Sequence, residues 1–111
     1  MYKFFFKKSR LLSTLQFQHV YKRHIKIIRP EFIYLSRINY LNFPRLGISI
    51  SKKNIKRSHD RNRIKRLIRE NFRLKQNKLM SMDIVIIVKK NLIFQNNKFI
   101  IHRLENLWIY K

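Results

Sequence analysis

The sequence predicts one α+β domain, a two-layer α/β sandwich in which a small sheet packs against helices in the order α-β-β-α-β-α. Three observations carry that prediction. A chain of 111 residues suits one domain and not two. Hydrophobic residues make up 45% of it and aromatic residues 14%, enough to build a core. Finally, the apolar residues switch between helical spacing and strand-like runs, with no internal repeat and no Pro- or Ser-rich linker. Residues 1–111 are therefore treated as a single unit, of which 1–10 read as a basic N-terminal arm.

Ser13 reads as the N-cap of the first helix, with Gln16 three residues on to close a capping box and Leu12 and Phe17 at the spacing of a hydrophobic staple. Phe17, Val20 and Tyr21 follow at i, i+3 and i+4, which predicts about three turns. Arg29-Pro30 ends that helix or the loop behind it. Phe32 to Tyr40 is rich in β-branched and aromatic residues between Pro30 and Pro44, and predicts a strand. Leu46 to Ser51 alternates, with Leu46, Ile48 and Ile50 on one face and Gly47, Ser49 and Ser51 on the other. The second set forms a shallow track of small residues that leads into Lys52 and Lys53. Ser58 or Asp60 can start the next helix, whose Ile64, Leu67, Ile68 and Phe72 make one apolar stripe. Ile84 to Val88 is a continuous apolar run, as expected of a strand buried on both faces. Asn96 or Asn97 can cap a last helix carrying Ile100, Ile101, Leu104, Leu107 and Trp108 toward the core.

Charge narrows the function. Twenty-seven Lys+Arg against five Asp+Glu give a formal net charge of +22 at pH 7. Self-repulsion on that scale works against the compact state unless a polyanion supplies the opposite sign, so a large nucleic acid is the expected partner. The stretch from Lys52 to Lys75 is the densest: eleven Lys/Arg against Asp60 and Glu70, a net +9. Within it Arg61, Lys65, Arg69 and Arg73 form an i, i+4 ladder, and like charges at that spacing cost a helix about 0.2–0.5 kcal/mol per pair.

Several classes are disfavoured. No cysteine is present, so there is no thiolate nucleophile or Cys-based zinc site, a usage that fits a reducing cytoplasm. The longest apolar runs, Phe4 to Phe6 and Ile84 to Val88, fall far short of the ~20 residues of a membrane span. Glu31, Asp60, Glu70, Asp83 and Glu105 are scattered, and His19, His24, His59 and His102 lack metal-ligand spacing. No catalytic or metal-holding side chains are expected in the protein itself. Phe17 and Tyr21 offer faces on which unpaired bases can stack, although core packing is an equal reading for Phe17. Charge and size alone fit a structural RNA-binding protein of ribosomal type equally well.

The segment KKNIKRSHDRNRIKRLIRENFRL, Lys52 to Leu74, resembles the signature of the bacterial ribonuclease P protein family, with Arg61-Asn62-Arg63 at its heart. The resemblance extends to RLLSTLQFQHVY at Arg10 to Tyr21, PRLGISISKKN at Pro44 to Asn54 and MDIVIIVKK at Met82 to Lys90, in the same order and spacing. It implies an α/β sandwich with a left-handed βαβ crossover, like a domain of ribosomal protein S5. It also implies a cytoplasmic accessory subunit of an endoribonuclease that matures the 5′ end of tRNA. The catalytic RNA subunit would do the chemistry with magnesium held mainly by that RNA, and precursor tRNA would be the other partner; neither DNA nor membrane is expected. Carried over by position, Phe17 and Tyr21 would line a cleft for the 5′ leader from the helix side, with Ser49, Ser51 and Lys53 on the strand side. Arg61, Asn62, Arg63, Lys65, Arg66 and Arg69 would face RNA, with Lys52, Lys56 and Arg57 on the same basic surface. Bulk at Ile68 and Asn71, where relatives are generally richer in Ala and Gly, predicts looser packing of the long helix.

Overall fold

A computed structural model of the chain describes residues 13–89 and 92–110. The N-terminal arm and the Leu12 half of the staple lie outside the described residues. Three helices and four strands follow in the order α1 (Thr14–Lys22), β1 (Ile25–Ile28), β2 (Phe32–Ile38), β3 (Arg45–Ser49), α2 (Ser58–Lys75), β4 (Met82–Val88) and α3 (Asn97–Glu105). The strands form one sheet in the order β1-β2-β4-β3. β4 is antiparallel to β2 and parallel to β3, so α2 is the crossover of a parallel β3–α2–β4 unit.

Most predicted elements are present with shifted ends. The Ser13 capping box is closed in both directions: the Gln16 N–H donates to Ser13 Oγ at 3.3 Å, and the Ser13 N–H donates to Gln16 Oε1 at 2.7 Å. α1 stops at Lys22, because Arg23 turns to extended backbone. β2 ends at Ile38 and β3 at Ser49, two residues before each predicted end. Arg57, not Ser58 or Asp60, is the N-cap of α2, and Asp60 instead lies in the first turn, where a carboxylate complements the positive end of the helix. Asn96 caps α3 by accepting from the Phe99 N–H at 2.8 Å.

One strand was not anticipated. Ile25–Ile28 pairs antiparallel with β2, and Pro30 lies in the hairpin between them rather than behind a helix. Three of its four residues are exposed, so it lacks the buried alternation by which strands are read. Its β-branched content, three Ile in four residues, was the available signal.

Helices lie on both faces of the sheet. Against one face α2 and α3 build the main core, where Ile64, Ile68 and Phe72 meet Phe32, Tyr34, Leu46, Ile84, Ile86, Ile100 and Leu104. Trp108 closes it, edge-on to Tyr34 at 6.3 Å between ring centroids. Burial pushes the Tyr34 phenol far above its ordinary pKa. The bulk at Ile68 and Asn71 does not open this core: Ile68 is fully buried, and Asn71 Oδ1 accepts the indole N–H of Trp108 while its amide donates to Glu105 at 3.4 Å. A buried indole N–H needs such a partner, so the asparagine serves the packing. Against the other face α1 buries Val20 on Leu35 and Val85.

Candidate nucleic-acid interface

Strand register sets three rows of side chains on the α1 face: Arg37, Asp83 and Arg45; then Leu35, Val85 and Gly47; then Ile33, Ile87 and Ser49. α1 lies over the middle row. Helical spacing puts Val20 beneath the helix, Phe17 and Tyr21 on one flank, and His19 and Arg23 on the other. The contacts agree with that division. Phe17 packs with Ile33 and Ile87 around the Val20 cluster, while His19 and Arg23 line a cleft with Arg37 and Asp83.

Gly47, the one glycine of the chain, positions Phe17. A Cβ there would stand 2.4 Å from Phe17 Cζ, so only glycine lets the ring lie on the strand backbone. Phe17 is half-buried and Tyr21 exposed, with their ring centroids 6.2 Å apart. The packing reading of Phe17 holds for the tip of the ring, set against Gly47 beside the Val20 cluster, while part of the side chain remains exposed. Ser49 shares the register row of Ile33 and Ile87 on that flank and is half-exposed. Ser51 lies just beyond β3, where its hydroxyl accepts from the Asn54 N–H at 3.0 Å and shapes the turn carrying the exposed Lys52 and Lys53.

The basic helix divides into two kinds of cation. Arg61 reaches back to the carbonyls of Ile55 and Lys56, at 2.9 and 2.7 Å, and holds the loop that leads into α2. Arg63 donates to the Gln95 carbonyl at 3.3 Å and to the Asn97 side chain, tying α2 to the start of α3. The sequence places both among the RNA-facing cations, and the structure gives both tertiary contacts as well. Asn62 and Arg66 are exposed, Lys65 and Arg69 half-exposed, and none of the four has a side-chain partner among the described residues. Arg73 pairs with Glu70. Lys56 and Arg57 are exposed at the helix entrance.

Each of the five acids has a basic neighbour. Asp83 takes both Arg45 Nε and Nη2 at 2.7 Å and the Asn39 amide at 3.0 Å. Glu31 pairs with Arg103 at 2.8 Å, Glu105 with Lys75 at 3.6 Å, and Asp60 with the exposed His59 at 3.8 Å. Among the described residues no three carboxylates or imidazoles come together as a metal-binding group. No described helix is long and apolar enough to cross a membrane.

A mixed sheet with an aromatic pair over one face and a cationic helix behind the other defines an RNA-binding subunit. The ribonuclease P family model matches residues 5–110. A ribonuclease P protein component from Buchnera aphidicola subsp. Schizaphis graminum is 51% identical over 105 residues, covering 95% of this chain and 92% of its own. One from Escherichia coli is 42% identical over 102 residues, covering 92% and 86%. The structure of the Staphylococcus aureus RNase P protein superposes with a TM-score of 0.83 at 31% identity, covering 89% of this chain and 91% of that one. The chain belongs to the ribonuclease P protein family, and is an accessory protein component of that tRNA-processing endoribonuclease.

Proposed function

We propose that this protein holds the single-stranded 5′ leader of precursor tRNA in the groove beside α1 and docks the exposed cations of α2 on the catalytic RNA, in the cytoplasm. Phe17 fixed over Gly47, with Tyr21 exposed beside it, carries the reading, since a rigid aromatic step on a polar-edged sheet accepts any base by stacking. Lys52 and Lys53, at the end of the Ser49–Ser51 track, supply charge for the leader backbone, where phosphate contacts set register without reading sequence. Lys65, Arg66 and Arg69, with Asn62, supply the face toward the catalytic RNA. Magnesium held by the RNA drives hydrolysis, and the protein contributes binding and orientation.

The test separates leader from body. Phe17→Ala is expected to weaken holoenzyme binding of precursor tRNA roughly tenfold, from stacking worth ~1–3 kcal/mol per base, while leaving mature tRNA binding unchanged. Because Phe17 also packs, Tyr21→Ala is measured beside it and a melting curve is taken for each. Equal losses for precursor and mature tRNA in both variants would place the leader elsewhere.

A further inference from the structure

On the opposite flank of α1 lies a second groove, an open cleft of about 620 Å³. Arg23, Arg37, Arg45 and His19 line it against one carboxylate, Asp83, which the bidentate Arg45 already neutralises. The Arg37 guanidinium donates to the His19 carbonyl at 3.2 Å, which fixes its head at the groove wall with other N–H groups to spare. The Arg23 side chain has no partner among the described residues.

Tyr40 stands at the rim, 90% exposed, with φ of 57°. A bulky residue is rarely found in left-handed backbone and persists there only where its surroundings enforce it. Asn39 supplies the enforcement. Its Oδ1 accepts from the Leu41 N–H at 2.9 Å, and its amide donates to the Phe43 carbonyl at 3.1 Å and to Asp83 at 3.0 Å. The turn is thereby anchored to the ion pair of Asp83 with Arg45, with an exposed phenol at the rim of a cationic cleft.

We propose that this groove is a second single-stranded RNA subsite, in which Tyr40 stacks on a base and Arg23 with Arg37 takes the adjoining phosphate. A guanidinium pair asks for an anion and an exposed flat ring asks for a π-face, and a nucleotide supplies both. The occupant is an upstream nucleotide of the same precursor leader. Phe17 and this cleft lie on the two flanks of α1 over one sheet face, so an extended strand that crosses the width of that single helix passes from one to the other. The assignment rests on the leader reading given above.

The holoenzyme is tested with precursor tRNAs that carry one photoreactive 5-iodouridine at successive leader positions. Positions near the cleavage site are expected to crosslink to Phe17 or Tyr21, and upstream ones to Tyr40. Tyr40→Ala is expected to lower the ratio of long-leader to short-leader affinity about fivefold, as for one lost stack, and Tyr40→Phe to restore it. Arg23→Gln should lower the same ratio and flatten its salt dependence. Crosslinks confined to Phe17 and Tyr21, with an unchanged ratio in Tyr40→Ala, would overturn the second subsite and leave the first intact. Crosslinks from iodouridine in the catalytic RNA to Tyr40, or competition for the groove by an acidic peptide, would overturn the choice of occupant. If no leader position crosslinks to either groove, the leader reading itself fails.

Discussion

Asp83→Ala is expected to destabilise the protein by about 3 kcal/mol, the lower part of the range for removing one partner of a buried ion pair. Asp83 is only 6% exposed and answers Arg45 twice and Asn39 once, so truncation strands a guanidinium and frees the turn at Tyr40 together. Against a typical total of roughly 5–15 kcal/mol that loss is large, and at about 4–8 °C per kcal/mol it lowers the melting temperature by about 10–25 °C. Thermal unfolding at fixed salt measures it. Replacing Arg45 by Met in the same chain should recover part of the loss, because the stranded charge is then gone. A single variant that melts within a few degrees of the parent would show that the pair is solvated and contributes little.

The second large effect is on RNA. Changing Lys65, Arg66 and Arg69 together to Ala is expected to weaken assembly with the catalytic RNA roughly a hundredfold, from three charge-assisted contacts of about 1 kcal/mol each. The slope of log affinity against log salt should flatten by about 2, at ~0.7–0.9 per phosphate. The same variant should melt no lower than the parent, since Lys65 and Arg69 repel each other at i, i+4 and Ala favours helix. Arg61→Ala should behave oppositely, losing stability as the Ile55 and Lys56 carbonyls lose their donor. Titrations at several salt concentrations, with melts alongside, separate the two classes. A triple variant that binds with the parental slope would mean that this face of α2 looks into solvent.

The sequence was most legible where the signal is local. The Ser13–Gln16 box, the Ile64–Ile68–Phe72 stripe and the buried run of β4 need only neighbours three or four residues away, or one continuous stretch, and each is present. β1 escaped because a four-residue exposed strand has too little burial to impose a pattern. For the same reason the tertiary work of Arg63 was invisible: Gln95 and Asn97 are more than thirty positions away, and nothing near Arg63 announces them. The Phe17 groove could be inferred in part, because the aromatic pair and the small-residue strand are each local motifs. The groove at Tyr40 could not, since its lining comes from α1, all four strands and a turn, and one of the three Asn39 hydrogen bonds that hold that turn goes to Asp83 more than forty residues ahead.

The charge of +22 meets a partner of the opposite sign only in a ribonucleoprotein, and four of the protein's five carboxylates are already paired with Lys or Arg. Reconstitution is therefore the most direct test. The full-length chain is mixed with its RNA subunit at low magnesium, and removal of the 5′ leader from a precursor tRNA is followed. Cleavage is expected only when both components are present, and the RNA alone should need much more magnesium to reach the same rate. Cleavage by the protein without the RNA, or an RNA equally active at low magnesium without the protein, would contradict its role as an accessory subunit.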